Sequence, residues 1–212
     1  MSSQEVNLVP YYKMSLNGVA AICVSNIDGN IILVGASYHN EGWKTKSPVY
    51  ILDKDNRAFH LVQSIPTVGA HDVDNFYYKG NQFLIFSEDR NSKTSRIQSG
   101  VYVWSSSSIQ YEIIQYIETD GAHGAEFFEF YGDLFICVAN FGDRERKRYK
   151  AVSTIWKLEE NCNGAAAAAA AAAATSAAEG GEDGESCTHG VTREFKKIAE
   201  INTFGATDCE VR

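Results

Sequence analysis

The sequence predicts an all-β chain built from repeated four-stranded units, and three observations carry that prediction. Gln63, Ile65, Thr67, Gly69, Ala70, His71 and Phe76 recur as Gln115, Ile117, Thr119, Gly121, Ala122, His123 and Phe128, every one displaced by 52 residues. A third copy beginning at Phe195 keeps Ile201, Thr203, Gly205 and Ala206. The segments between obey the same register, Phe83–Phe86 mapping onto Phe135–Val138 and Val101–Trp104 back onto Val49–Leu52. Repeats near this length are the mark of propeller blades or solenoid units.

Taken in order, Pro10–Met14 reads as a short strand and Asn17-Gly18 as a turn. Val19–Val24 is a continuously apolar run of small residues, the pattern of a strand covered on both faces. Asp28-Gly29 is a hairpin signal leading into Ile31–Ser37. Tyr38–Ser47 is a polar loop, Val49–Leu52 alternates toward the Asp53–Asn56 turn, and Phe59–Gln63 closes the first unit. The second unit repeats this order through Val73–Tyr78, Phe83–Ser87, Val101–Trp104 and Tyr111–Ile117. The third runs through Ala125–Tyr131, Leu134–Asn140, Ser153–Leu158 and, after an interruption, Phe195–Ile201. Gly205 opens a fourth inner strand. The expected blades therefore span about 19–64, 71–117 and 123–201.

The interruption, residues 163–190, holds ten consecutive alanines followed by Gly and acidic residues. With no amphipathic face to bury, it is expected to be a mobile or weakly helical excursion. Its place is one where the first two units have only a turn, and closing a longer surface loop adds little free energy.

Composition narrows the function. At 212 residues with 44% apolar content the chain can bury a sizeable core. A formal charge of −8 without a clustered basic stripe argues against nucleic acid, because phosphate binding needs grouped cations. The nearest basic run, Arg144–Lys150, is broken by Glu145 and reads as a solvated turn. Outside the alanine tract no window is apolar enough to span a bilayer, so membrane insertion is not expected. The first residues lack the basic and apolar regions of a signal peptide, so secretion would need a start upstream. Five cysteines without a CxxC pair give neither a zinc site nor a full disulfide framework. Cys23 and Cys137 fall in strand patterns and read as small apolar side chains, while Cys162 and Cys187 bracket the insert and stand where a bridge would close its base.

The series Phe135-Ile-Cys-Val-Ala-Asn-Phe-Gly-Asp-Arg144, Ser153-Thr-Ile-Trp-Lys-Leu158, then Ile201-x-Thr-x-Gly-Ala-x-Asp208 resembles the epilepsy-associated repeat, also called the EAR or EPTP repeat. Units one and two fit it through Val49-Tyr-Ile51 with Gln63–Asp72, and Val101–Trp104 with Gln115–His123. The resemblance implies a β-propeller of the seven-bladed family architecture, of which about three four-stranded antiparallel blades and flanking strands are present. It implies a protein that is extracellular or at the cell surface and acts by binding another protein, an adhesion partner or receptor, not by catalysis. Fewer than four blades leave sheet faces uncovered, so self-association that caps the open blades is expected.

At the start of the inner strands, the expected channel rim, His71, Asp72, His123 and Asp208 are the candidate binding residues. The resemblance makes Asp72 and Asp208 candidates for calcium, whose preferred ligands are carboxylate and carbonyl oxygens; the alternative is an Asp that caps the tight Gly-Ala turn. The histidines either titrate or bind, or are satisfied turn residues. Phe76, Phe83, Trp104, Phe128, Phe135 and Trp156 read as blade-to-blade packing. Catalytic signals are thin: Gly35-Ala-Ser37-Tyr-His39 starts like a nucleophile elbow but lacks the closing Gly, and neither a phosphate loop nor a zinc helix is written. An intracellular propeller scaffold is the alternative to the extracellular binder, and a propeller hydrolase or lyase comes last.

Overall fold

The computed structural model describes residues 13–162 and 191–210. The strands are β1 (Val19–Ile27), β2 (Asn30–Ser37), β3 (Lys44–Asp53), β4 (Ala58–Val68), β5 (Ala70–Tyr78), β6 (Asn81–Glu88), β7 (Arg96–Ser105), β8 (Gln110–Asp120), β9 (Ala122–Phe130), β10 (Asp133–Asn140), β11 (Lys150–Cys162) and β12 (Val191–Phe204). They form three four-stranded sheets in sequence order, β1 to β4, β5 to β8 and β9 to β12, every pair antiparallel. The sheets stand side by side as propeller blades with β1, β5 and β9 innermost.

Each element follows from local chemistry. The first hairpin of every blade turns on two residues of positive φ, Asp28-Gly29, Lys79-Gly80 and Tyr131-Gly132, the type I′ geometry that matches strand twist. The blade-to-blade corner is a glycine, Gly18, Gly69, Gly121 and Gly205, with φ of 68, 59, 65 and 61°. At Gly18, Gly69 and Gly121 the carbonyl of residue 39, 90 or 142 packs so closely that a Cβ would stand 2.5, 2.8 or 2.2 Å from it. Gly18 is thus a fourth copy of the corner, where the sequence indicates only a turn.

The motif threonine is a pin, buried in the first two blades and half-buried in the third. Thr67, Thr119 and Thr203 share hydroxyl bonds of 2.7, 3.3 and 3.0 Å with Ser47, Ser99 and Ser153, whose oxygens accept from the N–H of Ser37, Glu88 and Asn140. These bonds tie the second, third and fourth strands together at their hub ends. The motif glutamine is a clasp between blades. Gln63 donates to the Tyr111 carbonyl at 2.8 Å and accepts its N–H at 2.9 Å; Gln115 does the same to Phe195 at 2.9 and 2.6 Å. Blade three carries Ala199 at this position.

Two apolar seams result from strand alternation. Ile32, Val34, Val49, Leu84 and Phe86 fill the first, between blades one and two; Phe83, Ile85, Leu134, Ile136, Trp156 and Phe195 fill the second. Adjacent residues of β6 therefore serve opposite seams. Each such side chain contributes about 1.5–3 kcal/mol by burial. Phe76 packs on the second seam and Trp104 on the first, but Phe128 and Phe135 stack on one another at 5.2 Å, outside both seams. The outer face of blade one leaves Ile22, Val24 and Leu61 more than half exposed.

Several expectations are corrected. Outer strands run longer than the apolar runs suggest, because antiparallel pairing continues while a partner is opposite: Lys44 pairs with Val68 and Arg96 with Asp120. Residues 13–16 form no strand, and the fourth inner strand does not form at 206–210, where no neighbouring strand pairs with it among the described residues. Cys137 is not a free thiol: it is bonded to Cys209, with Cα atoms 6.1 Å apart, which ties the segment after Gly205 to blade three. Cys23 remains free, its thiol pushed up to about 12 by burial. The proposed Cys162–Cys187 bridge and the insert at 163–190 lie outside the described residues, as does most of the Pro10–Met14 strand.

Candidate functional site

Three loops meet over the hub at one end of the blades. They are residues 38–43, 89–95 and 141–149, each joining the second strand of a blade to the third. Their anchoring is identical, since Tyr38, Asp89 and Phe141 each donate an N–H to the carbonyl of the preceding corner glycine, at 2.7, 2.9 and 2.7 Å. One backbone position thus presents three different side chains.

Opposite these loops, a β-bulge opens each inner strand. Pairing jumps from Ala70 to Asp72 and from Ala122 to Gly124, so His71 and His123 are the extra residues. A bulge re-aims its side chain. The consequence is a stack: the two imidazoles lie parallel at 4.2 Å, and His123 stacks on Phe141 at 4.3 Å. His71 donates from Nδ1 to the His123 carbonyl at 3.0 Å, so the two predicted histidines are brought together across a blade boundary.

The stack is part of a longer line of rings. Tyr38 meets His71 edge-on at 5.4 Å and Trp43 at 5.4 Å, and His39 meets Trp43 at 5.0 Å. At the other end Phe141 meets Tyr149 at 5.6 Å, and Tyr149 meets Phe204 at 5.9 Å. The rings cross all three blades. Arg90 lies over Trp43 at 5.2 Å and Arg144 over Phe141 at 5.0 Å, in range for cation–π attraction.

Buried charge locks the loops together. Tyr38 donates to Asp89 Oδ2 at 3.0 Å, Arg90 reaches Glu145 at 2.8 Å and Asp143 at 3.6 Å, and Arg148 grips Asp120 with two bonds of 2.7 Å. Burial, with Asp89 beside it, pushes the Tyr38 phenol up to about 12, so it stays a donor at neutral pH. Burial, His71 and Arg144 bring His123 down to about 4, so this imidazole is neutral at pH 7. Asp89 lies 3.7 Å from its Nε2.

On the other side of the inner strands a cleft of about 420 Å³ is lined by Asp72, Asp74, Glu126 and Asp208. Asp74 accepts the Phe127 N–H at 2.8 Å, and Asp72 accepts from Val73 and Ala125. The bonds from Ala125 and Phe127 serve backbone donors on the unpaired edge of β9. Burial raises both carboxyls, Asp74 to about 6. Asp72 and Asp208 line this one cleft, and Asp208 packs on Gly124, where a Cβ would stand 3.0 Å from Asp208 Oδ1. Among the described residues no three His, Cys, Asp or Glu converge as a metal-holding group.

Two grooves open at equivalent places between successive blades, about 470 Å³ beside Lys44 and Thr67 and about 340 Å³ beside Arg96 and Thr119. They are products of the repeat. Among the described residues Ser37 is not set against a base: it donates to the Lys46 carbonyl, and its N–H is taken by Ser47. Tyr38, Trp43, Asp89, Arg90 and Phe141 were not readable as site residues, because no repeated letter marks them.

No protein-family model matches the chain. Curated proteins do. A Mus musculus protein named "Thrombospondin-type laminin G domain and EAR repeat-containing protein" is 36% identical over 101 residues, covering 48% of this chain and 15% of that protein. The Homo sapiens protein of the same name is 29% identical over 137 residues, 64% of this chain and 20% of that one. The chain thus matches no more than a fifth of the length of these relatives.

Proposed function

We propose that this chain, whose repeats are of the EAR type, is a non-catalytic protein-recognition module that grips a partner through the three hub loops. The observation that carries this reading is the convergence of those loops into one interlocked surface of rings and guanidinium groups. Trp, Tyr and Arg are the residue types that dominate binding energy at protein interfaces. A surface already fixed by ion pairs and backbone bonds loses little entropy when a partner docks. The partner in this reading is a cell-surface protein of the adhesion or receptor kind.

The test is a screen of the purified chain against a panel of cell-surface ectodomains, repeated with Trp43→Ala and with Leu61→Ser on the outer face of blade one. Binding that falls at least about tenfold with Trp43→Ala, and holds with Leu61→Ser, supports recognition at the hub; the reverse pattern refutes it.

A further inference from the structure

We infer that the hub loops take an acidic segment of the partner protein, its carboxylates meeting the cations of the third loop and its apolar side chains lying on the rings beside them. This rests on the recognition reading above and names the chemistry of what is recognised. The chain as a whole is acidic, with a formal charge of −8. The hub loops reverse that sign locally. Most of their acids are buried or paired: Asp89 and Asp143 are buried, Asp120 is held by the Arg148 fork, and Glu145, though exposed, is engaged by Arg90, which leaves Glu41 of the first loop as the exposed acid without an ion pair among the described residues. Of the cations only Arg90 is buried as the acids are. Lys93, Arg144 and Lys147 on the loops, and Lys150 where β11 begins, are exposed, and none has an ion-pair partner within 4 Å among the described residues.

These cations sit on built loops. Asp143 and Arg148 exchange two backbone bonds of 2.7 and 2.8 Å, and the Asp143 carboxylate accepts the Arg146 N–H at 3.2 Å. Arg146 then reaches across to the Lys93 carbonyl at 2.9 Å, joining the second loop to the third. Arg144 is held over the Phe141 ring. Beside it the ring line continues through Tyr149 to Phe204, which is 74% exposed. The run Arg144–Lys150, which in the sequence reads as a solvated turn, is therefore an ordered platform with charge and aromatic surface side by side. A sulfated polysaccharide is read by cations spread along a stripe; a compact patch that mixes four cations with rings suits a polypeptide in which Glu or Asp alternates with apolar residues.

The test uses the full chain in biolayer interferometry against immobilised peptides that alternate Glu or Asp with Leu or Phe, the same peptides with Gln and Asn in place of the acids, and heparin. The expected result is binding of the acidic set at least about tenfold tighter than the amide set, weakening as salt rises. Arg144→Glu combined with Lys147→Glu lowers affinity for the acidic set by at least about tenfold, while Lys54→Glu, on a turn at the opposite end of the blades, leaves it unchanged. Melting temperatures of the variants separate lost binding from lost fold. Equal affinity for both peptide sets, no affinity for either, or heparin bound tighter than the acidic set overturns the inference. An ectodomain whose binding depends on Trp43 but not on Arg144 and Lys147 sinks this inference and leaves the recognition reading standing; one that ignores all three sinks both.

Discussion

Glu88 offers the sharpest check on the energetics of the blades. Its side chain is buried at the end of β6, where Oε2 accepts the Val68 N–H at 2.6 Å and the carboxyl also accepts from Gly100. Burial lifts the acid from an ordinary 4.5 to about 7, against the lowering effect of those two bonds. Because the folded value is raised, the folded state binds the proton more tightly than the unfolded one. Its stabilising effect is therefore full below pH 4.5 and is lost as pH rises through 7. The gap between 4.5 and about 7 corresponds to about 3 kcal/mol at 25 °C.

Blade three shows how a neutral side chain fills the same place. Asn140, at the equivalent position, accepts the Asp120 N–H at 3.0 Å and donates to the Val152 carbonyl at 2.7 Å. Glu88→Gln can copy both bonds, with Gln98 standing where Val152 stands, and gives up only the bond from the Gly100 N–H, which costs about 1 kcal/mol. Relative to the native protein the variant is then about 1 kcal/mol less stable below pH 4.5 and about 2 kcal/mol more stable at about pH 8. For a chain of this size that is a melting temperature about 2–4 °C lower in acid and about 4–8 °C higher in base. Calorimetry of both proteins from about pH 4 to 8 reads the difference directly, and titrations shared by the two, such as that of Asp74, cancel. Parallel curves with no crossing would refute the reasoning.

Further outcomes follow from the same structure. Gly121→Ala should be far more damaging than Gly132→Ala: both have positive φ, which costs about 1 kcal/mol, but only at Gly121 does a Cβ collide with a carbonyl, at 2.2 Å. Equal losses of melting temperature would sink the close-packing account of the corner. Gln115→Ala should lower stability by about 1–3 kcal/mol by leaving the Phe195 N–H and carbonyl unpaired, and denaturant titration measures it; a loss below the error of that method would deny the clasp its role. The apolar outer faces should make the chain associate, with a sedimentation coefficient that rises with concentration, and Val24→Ser with Leu61→Ser should reduce it. A native chain that sediments as a monomer throughout would contradict this.

Much of the architecture was legible because one motif is written three times. The displacement of 52 residues placed Gly69, Gly121 and the two histidines correctly relative to one another, and alternation in β6 and β10 located the seams. What escaped was whatever the repeat does not spell. Gly18 passed as an ordinary turn because no Ala-His follows it, yet its φ and the carbonyl above it match the other corners. Tyr38, Asp89 and Phe141 occupy one structural position with three chemistries, so no letter-by-letter comparison aligns them. Ser47, Ser99 and Ser153 were equally silent, since a serine in a strand gains meaning only once its threonine partner is opposite. Cys137 and Cys209 lie 72 residues apart, and only the return of the chain to blade three after Gly205 makes them neighbours.

The long hairpin of blade three closes the account differently from its siblings. β11 and β12 run from Lys150 opposite Phe204, under the hub loops, to Cys162 opposite Val191, on the order of 40 Å away at about 3.4 Å per residue. The alanine-rich tract is spliced in at that distal tip. A change of length there leaves the hub loops at the other end of the hairpin in place. For the experimenter the same tip is a permissive docking point for a fluorophore, an affinity tag or a reporter domain.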